Sequence, residues 1–262
     1  MAKFNFLPIQ KKFEQLRIFN VVMGFLHLIQ ASLMLFISSD FSLPVSSAFL
    51  QFNVTTGKLE PVMHELFSLR IGPLVAGFLF ISSLAHFAIS SGRIYDWYVK
   101  NLKRGINFAR WFEYALSSSL MIVVIAMLAG MYDGVSLLLI FFLNMMMILF
   151  GWIMELHNQN TKRTNLTPYV FGCIAGAIPW LAVAFYLFGS GGPTGHAPSF
   201  VYWIFFSIFI CFDIFAVNML LQYKKIGKWK DYLYGERIYI ILSLVAKSLL
   251  AWQVFFGTLR PV

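Results

Sequence analysis

Seven apolar runs, near residues 18–38, 69–91, 108–130, 134–154, 168–189, 199–222 and 236–258, constrain the fold more than any other feature of the chain. Each is long enough to cross a hydrocarbon core of ~30 Å, which takes about 20 helical residues. Inside a bilayer the backbone must satisfy its own hydrogen bonds, so such runs are expected to be helices. The expectation is an all-α membrane protein, a single seven-transmembrane-helix domain over residues 1–262. Composition agrees, with 59% hydrophobic residues, 12% charged and a mean hydropathy of +0.74. Soluble domains carry roughly 25% charged residues.

The opening MAKFNFLPIQKKFEQLR is mixed and basic, without the apolar stretch and small-residue site of a cleaved signal. The first span is therefore expected to serve as the insertion signal. The turn MYDG (131–134) is so short that the third and fourth spans must be antiparallel neighbours. No internal repeat is evident, which argues against an inverted-repeat transporter.

Lysines and arginines set the orientation. Four lie before the first span (Lys3, Lys11, Lys12, Arg17), five in 92–110, two in 155–167 and five in 223–237, so sixteen fall on one side. Only Lys58, Arg70 and Arg260 fall on the other, and Lys247 lies inside the last span. This predicts a multi-pass cell-membrane protein with a cytoplasmic N-terminus and an extracellular C-terminus. Topology thus accounts for the net charge of +9, and no nucleic-acid partner is implied.

Within the 39–67 loop, SAFLQFNVTTGKLEPV alternates about a Thr-Thr-Gly turn and reads as a short extracellular β-hairpin. Its apolar residues Phe49, Leu50 and Phe52 and its open strand edge point to a homodimer contact. Asn53-Val54-Thr55 fits a glycosylation sequon, a pattern common by chance. Cys173 and Cys211 each sit in an apolar run and read as packing residues; neither a disulfide framework nor a metal site is expected.

The chemistry lies in the ionisable residues inside the spans. A lysine ammonium at mid-span costs roughly 2.5–3.5 kcal/mol on insertion scales, so Lys247 in LSLVAKSLLAWQ requires a carboxylate partner. Glu113 in RWFEYALSSS is the candidate, with Arg110 three residues before it and Ser117 four after it on one helical face. Glu155 is expected to be an interfacial anchor and Asp213 a polar residue facing the bundle interior. Lys247 has two uses open to it: a structural ion pair, or a Schiff base with an apolar carbonyl ligand. No nucleophile–base set or metal cluster appears, so an enzyme is not expected.

MGFLHLIQ (23–30), RWFEYALSSSLM (110–121), FAVNMLLQY (215–223) and LSLVAKSLLAWQ (242–253) closely resemble the heliorhodopsins, from the first span to the last. The resemblance implies that Lys247 carries all-trans retinal as a Schiff base with Glu113 as sole carboxylate counterion. It places Ser243 where pumps carry a second carboxylate, and Ser117, Asn144, Met147, Phe212 and Trp252 around the chromophore. His27 and His86 match the family's membrane-embedded histidines. At 1.5 Å per residue both fall in the cytoplasmic half, where with Glu113 and Arg110 they would form a proton network.

The outward half offers aliphatic runs and no evident carboxylate along the third or seventh span. The expected function is a slow light sensor that moves no net ion and signals to an unknown cytoplasmic partner. The alternative is a light-driven proton transporter or channel, with Asp213 as an additional proton site.

Overall fold

The structure, a computed structural model, describes residues 9–189 and 195–260. Lys3, one of the charges used above for orientation, lies outside the described residues. Seven helices are long and apolar enough to span a membrane: α1 (Ile9–Ile37), α2 (Ile71–Ile89), α4 (Phe108–Leu128), α5 (Gly134–Asn158), α6 (Thr167–Gly189), α7 (Ser199–Tyr223) and α8 (Tyr232–Val254), the last extended by a π-turn to Leu259. The protein is therefore a multi-pass membrane protein. An eighth helix, α3 (Gly92–Leu102), lies in the connection before α4.

Two local features differ from the sequence expectation. The first helix begins at Ile9, two turns before the apolar run, because KKFEQLR still buries Phe13 and Leu16 at every third position. The connection at 92–110 is not plain loop. Its Tyr98, Asn101 and Leu102 form a buried stripe while Arg93, Lys100 and Lys103 stay exposed, so a short amphipathic helix forms there.

Helix α4 is the hub, packing against α2, α5, α6 and α7. Its Asn107 cap accepts a hydrogen bond from the Arg110 amide. At its far end Gly130, at φ +99°, turns the chain in a conformation that only glycine adopts readily. Asp133 then caps α5, accepting from both the amide and the hydroxyl of Ser136.

The hairpin is longer than the sixteen-residue alternation suggested. Strands β1 (Ser42–Asn53) and β2 (Lys58–Arg70) pair antiparallel with a bulge between Val45 and Ser46. Asn53 holds the turn, accepting from the amides of Thr55 and Thr56 while its own amide donates to Glu60. The root of the hairpin is anchored to the bundle, through buried Val45, through Leu69 packed on the apolar core, and through Ser47, whose hydroxyl donates to Asp133 at 2.8 Å. The outer parts of both strands are exposed, including Leu50, Phe52, Leu59 and Met63.

The interior divides by depth. On the hairpin side one continuous apolar core joins Ile71, Phe78, Ile122, Ile125, Ile204 and Leu250. On the N-terminal side the core breaks into two smaller clusters around Leu16 and Met154, with buried polar groups between them.

Asp133 ties the hairpin root, the α4–α5 turn and the α5 cap together, and hydrogen bonds from Ser136 and Ser47 hold its carboxyl below the usual aspartate range. A depressed folded pKa means that this stabilisation is complete above the ordinary aspartate pKa and is lost as pH falls through the lowered value. Asp133→Ala should cost about 0.5–2 kcal/mol, as loss of a helix cap does. The lowered melting temperature should match wild type only in strong acid, as read by thermal melts across pH.

Candidate functional site: a buried lysine–glutamate pair at the end of an apolar cavity

Lys247 and Glu113 meet in the middle of the bundle. Lys247 Nζ donates to Glu113 Oε1 at 2.8 Å and to Ser243 Oγ at 2.7 Å, and both side chains are less than a tenth exposed. Helix geometry supplies the second contact, since Ser243 lies one turn before Lys247 on the same face of α8. Ser82 of α2 donates to the same carboxylate oxygen at 2.6 Å. The ammonium lies 5.0 Å from the centroid of the Tyr114 ring, whose hydroxyl is itself tied to the carbonyl of Tyr239. Removing two charges from water is tolerated here because each is met by its opposite and by further hydrogen bonds.

Lys247 lines a cavity of about 260 Å³ bounded by α4, α5, α6, α7 and α8. One water needs only roughly 10–15 Å³ of such space, so this is ligand-sized. Its walls are largely apolar and include the aromatic rings of Trp111, Tyr114, Trp180, Phe209 and Phe212. Glycines set its shape: a Cβ at Gly151 would lie 2.4 Å from the Trp111 ring, and one at Gly176 would lie 2.3 Å from Met147 Sδ. The cavity reaches the surface between α6 and α7, where the lining residues Cys173 and Asp213 are exposed.

The site residues named from the sequence fall into three groups. Ser117, Ser243, Met147, Phe212 and Lys247 line the cavity. Asn144 and Trp252 do not; Asn144 donates to Ser118 and Ser119, and Trp252 donates to Gln30 at 3.2 Å. His27 and His86 are brought together, their rings stacked at 5.6 Å and 12°. His86 Nδ1 bonds to Asn20 at 2.8 Å, whereas neither ring nitrogen of His27 has a protein partner within hydrogen-bond distance.

Arg110 shares a helical face with Glu113 but makes no ion pair with it. It pairs with Glu155 at 2.5 Å and with Glu236, because its guanidinium runs back between the rings of Trp111 and Tyr239 toward the N-terminal side. Glu155 is not an interfacial anchor: it is 1% exposed and also accepts from Trp111, Tyr232 and the amide of Asn107. Asp213 does not face the bundle interior, since it sits at the exposed mouth of the cavity.

Glu236 is the residue that reading the sequence missed. Charge counting treats it as part of a basic loop, yet Glu236, Ser243 and Lys247 recur at i, i+7 and i+11 and so share one face of α8. That spacing was the available signal. Its carboxylate takes hydrogen bonds from Arg110 and, at 2.6 Å, from Asn107.

Among solved structures, the chain is similar to a light-driven proton pump from Leptosphaeria maculans, with a TM-score of 0.62 and 14% identity over 91% of this chain and 93% of that one. Fold, cavity and in-span lysine together define a seven-helix protein of the microbial rhodopsin type. Within that type the Heliorhodopsin family model matches residues 16–259, nearly the whole chain, and the protein belongs to that family. No curated protein matches it at a significant level. It is therefore a retinal photoreceptor. The site fits that chromophore: a primary amine, paired with a buried carboxylate, lines an apolar, ligand-sized cavity whose wall residues Trp111 and Met147 are seated against Gly151 and Gly176.

Arg110 compensates two buried carboxylates, and its removal would leave both unpaired. Breaking such a pair costs about 3–5 kcal/mol. Arg110→Ala should therefore lower thermal stability in mild detergent far more than Asp213→Asn, which alters an exposed residue; melting curves of the two variants check the ordering.

Proposed function

We propose that the protein is a slow photosensor that moves no net ion across the membrane, with all-trans retinal joined to Lys247 as a Schiff base and Glu113 as its counterion. The observation that carries this reading is the buried contact of Glu113 with Lys247 Nζ, whose side chain lines the cavity. Bound there, retinal supplies visible absorption and a light-driven change of shape. Lys247 then holds a proton at Nζ next to the Glu113 carboxylate, and Ser82 and Ser243 fix the two partners in register.

Any group that displaces Nζ from Glu113 weakens an attraction that burial has made strong. Proton-accepting groups lie on the N-terminal side: Glu113 itself and, beside it, the stacked His27 and His86, with Asn20 orienting the latter. On the hairpin side the core around Ile122, Ile125 and Leu250 is aliphatic, and a bare charge there costs several kcal/mol. A proton that leaves Nζ into this polar half returns by the same route. The distribution of basic residues supports a cytoplasmic N-terminus and an extracellular C-terminus, so the polar half faces the cytoplasm and a signalling partner there.

One observation favours the alternative of a light-driven transporter or channel: Asp213 lines the cavity and makes no hydrogen bond to any of the described residues. Light-induced current under voltage clamp separates the readings. The photosensor gives no sustained current and no protonophore-sensitive pH change in unbuffered cells, and either signal would establish the transporter.

With all-trans retinal the purified protein should show a visible band that hydroxylamine bleaches. Lys247→Ala should show none, because only a primary amine makes the linkage. Glu113→Gln should shift the band to the red, since the carboxylate stabilises the localised ground-state charge. A larger red shift in Asp213→Asn would assign the counterion to Asp213 instead.

The exposed hairpin residues Phe49, Leu50 and Phe52 and the open edge of β2 support a homodimer through this extracellular face. Single cysteines at Phe52 or Met63, in a chain with Cys173→Ser and Cys211→Ser, should crosslink in lipid. A monomer by mass in lipid nanodiscs would refute the contact.

A further inference from the structure

We propose that Glu236 receives the proton that leaves Lys247 Nζ in the light, through a small polar chamber that it shares with Glu113. This rests on the photosensor reading and names the site where the displaced proton is held. The chamber, about 30 Å³, is lined by both Glu113 and Glu236, with Asn20, His86, Tyr98 and Arg110 also in its walls. Space of that size takes about two waters, provided polar partners surround them. Partners are present: among the described residues, the buried hydroxyls of Tyr98 and Tyr239, both in the chamber wall, and Arg110 Nε make no well-formed hydrogen bond to the protein.

Charge and bonding single out Glu236 as the acceptor. Arg110, Glu155 and Glu236 form a closed group, none more than 4% exposed, in which one guanidinium faces two carboxylates. One proton removes the excess negative charge. The two carboxylates are unequal, however. Glu155 accepts four donors, from Arg110, Tyr232, Trp111 and the Asn107 amide, and does not reach the chamber. Glu236 lines the chamber and accepts only Arg110, the Asn107 side chain and a long 3.5 Å contact from Gln222.

The transfer is balanced. The N–H bond at Lys247 Nζ breaks and leaves its electron pair on nitrogen, water relays the proton, and an O–H bond forms on Glu236; the reverse steps restore the start. A neutral Glu236 holds Arg110 and Asn107 less strongly than a carboxylate does. Asn107 caps α4 at the end of the connection from α3, so the change appears at the N-terminal face of the bundle.

Light-minus-dark infrared spectroscopy of the retinal-loaded protein tests this. As the visible band is lost, the carbonyl stretch of a protonated carboxylic acid should appear and shift on ¹³C-glutamate labelling. It should vanish in Glu236→Gln and survive in Glu155→Gln. In Glu236→Asp it should persist at a new frequency, insensitive to the glutamate label; should Glu236→Gln fail to form pigment, this pair of results decides the assignment. In parallel, hydrogen exchange of the amides at 107–110 should quicken on illumination in wild type but not in Glu236→Gln. A band that survives Glu236→Gln, or a proton found in the medium by a pH dye, overturns the proposal. Absence of any visible pigment would instead refute the photosensor reading itself, whereas pigment that loses the Nζ proton without a new carboxylic-acid band refutes only Glu236.

Discussion

The contact between Lys247 and Glu113 is the constraint on which the rest of the structure depends. A lone ammonium or carboxylate at this depth would be prohibitive, and the pair is tolerable only because Ser243 and Ser82 complete its hydrogen bonds. That requirement places α2, α4 and α8 at a set distance around one point. Lys247 is the member of the pair that lines the cavity, so whatever occupies it can reach the amine.

A second ionic group lies toward the N-terminal face, built on the same two helices, α4 and α8, with α5 added. The two groups have opposite balance. Lys247 and Glu113 cancel, whereas Arg110 leaves one carboxylate in excess. Between them lie the small polar chamber and the stacked histidines, while the hairpin side is closed by aliphatic side chains. A bundle polarised in this way can accommodate a proton moving within one half far more cheaply than one crossing to the other.

Much of the architecture was legible in the chain because a bilayer leaves few solutions for runs of twenty apolar residues. The spans emerged to within a turn or two, except at α1, where the polar run before it is helical to bury Phe13 and Leu16. Helix α3 went unread because its eleven residues carry too few apolar positions for a span and only the amphipathic period marks it. The hairpin was found but underestimated: the alternation fades past Pro61, and pairing to Arg70 follows from the register with β1 rather than from side-chain pattern.

The residues Lys247 and Glu113 could be paired on sequence alone, because an in-span charge demands an opposite one and the candidates were few. Arg110 shows where that logic stops. Its i, i+3 spacing to Glu113 is favourable on an isolated helix, yet α5 and α8 each offered a carboxylate, and Trp111 and Tyr239 two aromatic rings, in the opposite direction. Similarly, Asn144 and Trp252 sit on the right helices but rotate away from the cavity toward Ser118, Ser119 and Gln30. Hydropathy and charge count along one chain determined which segments cross the membrane and that a buried lysine needs an acid. Which acid each cation meets was decided only when eight helices packed, because a side chain's partner depends on rotation and depth relative to its neighbours, and neither is written in a one-dimensional pattern.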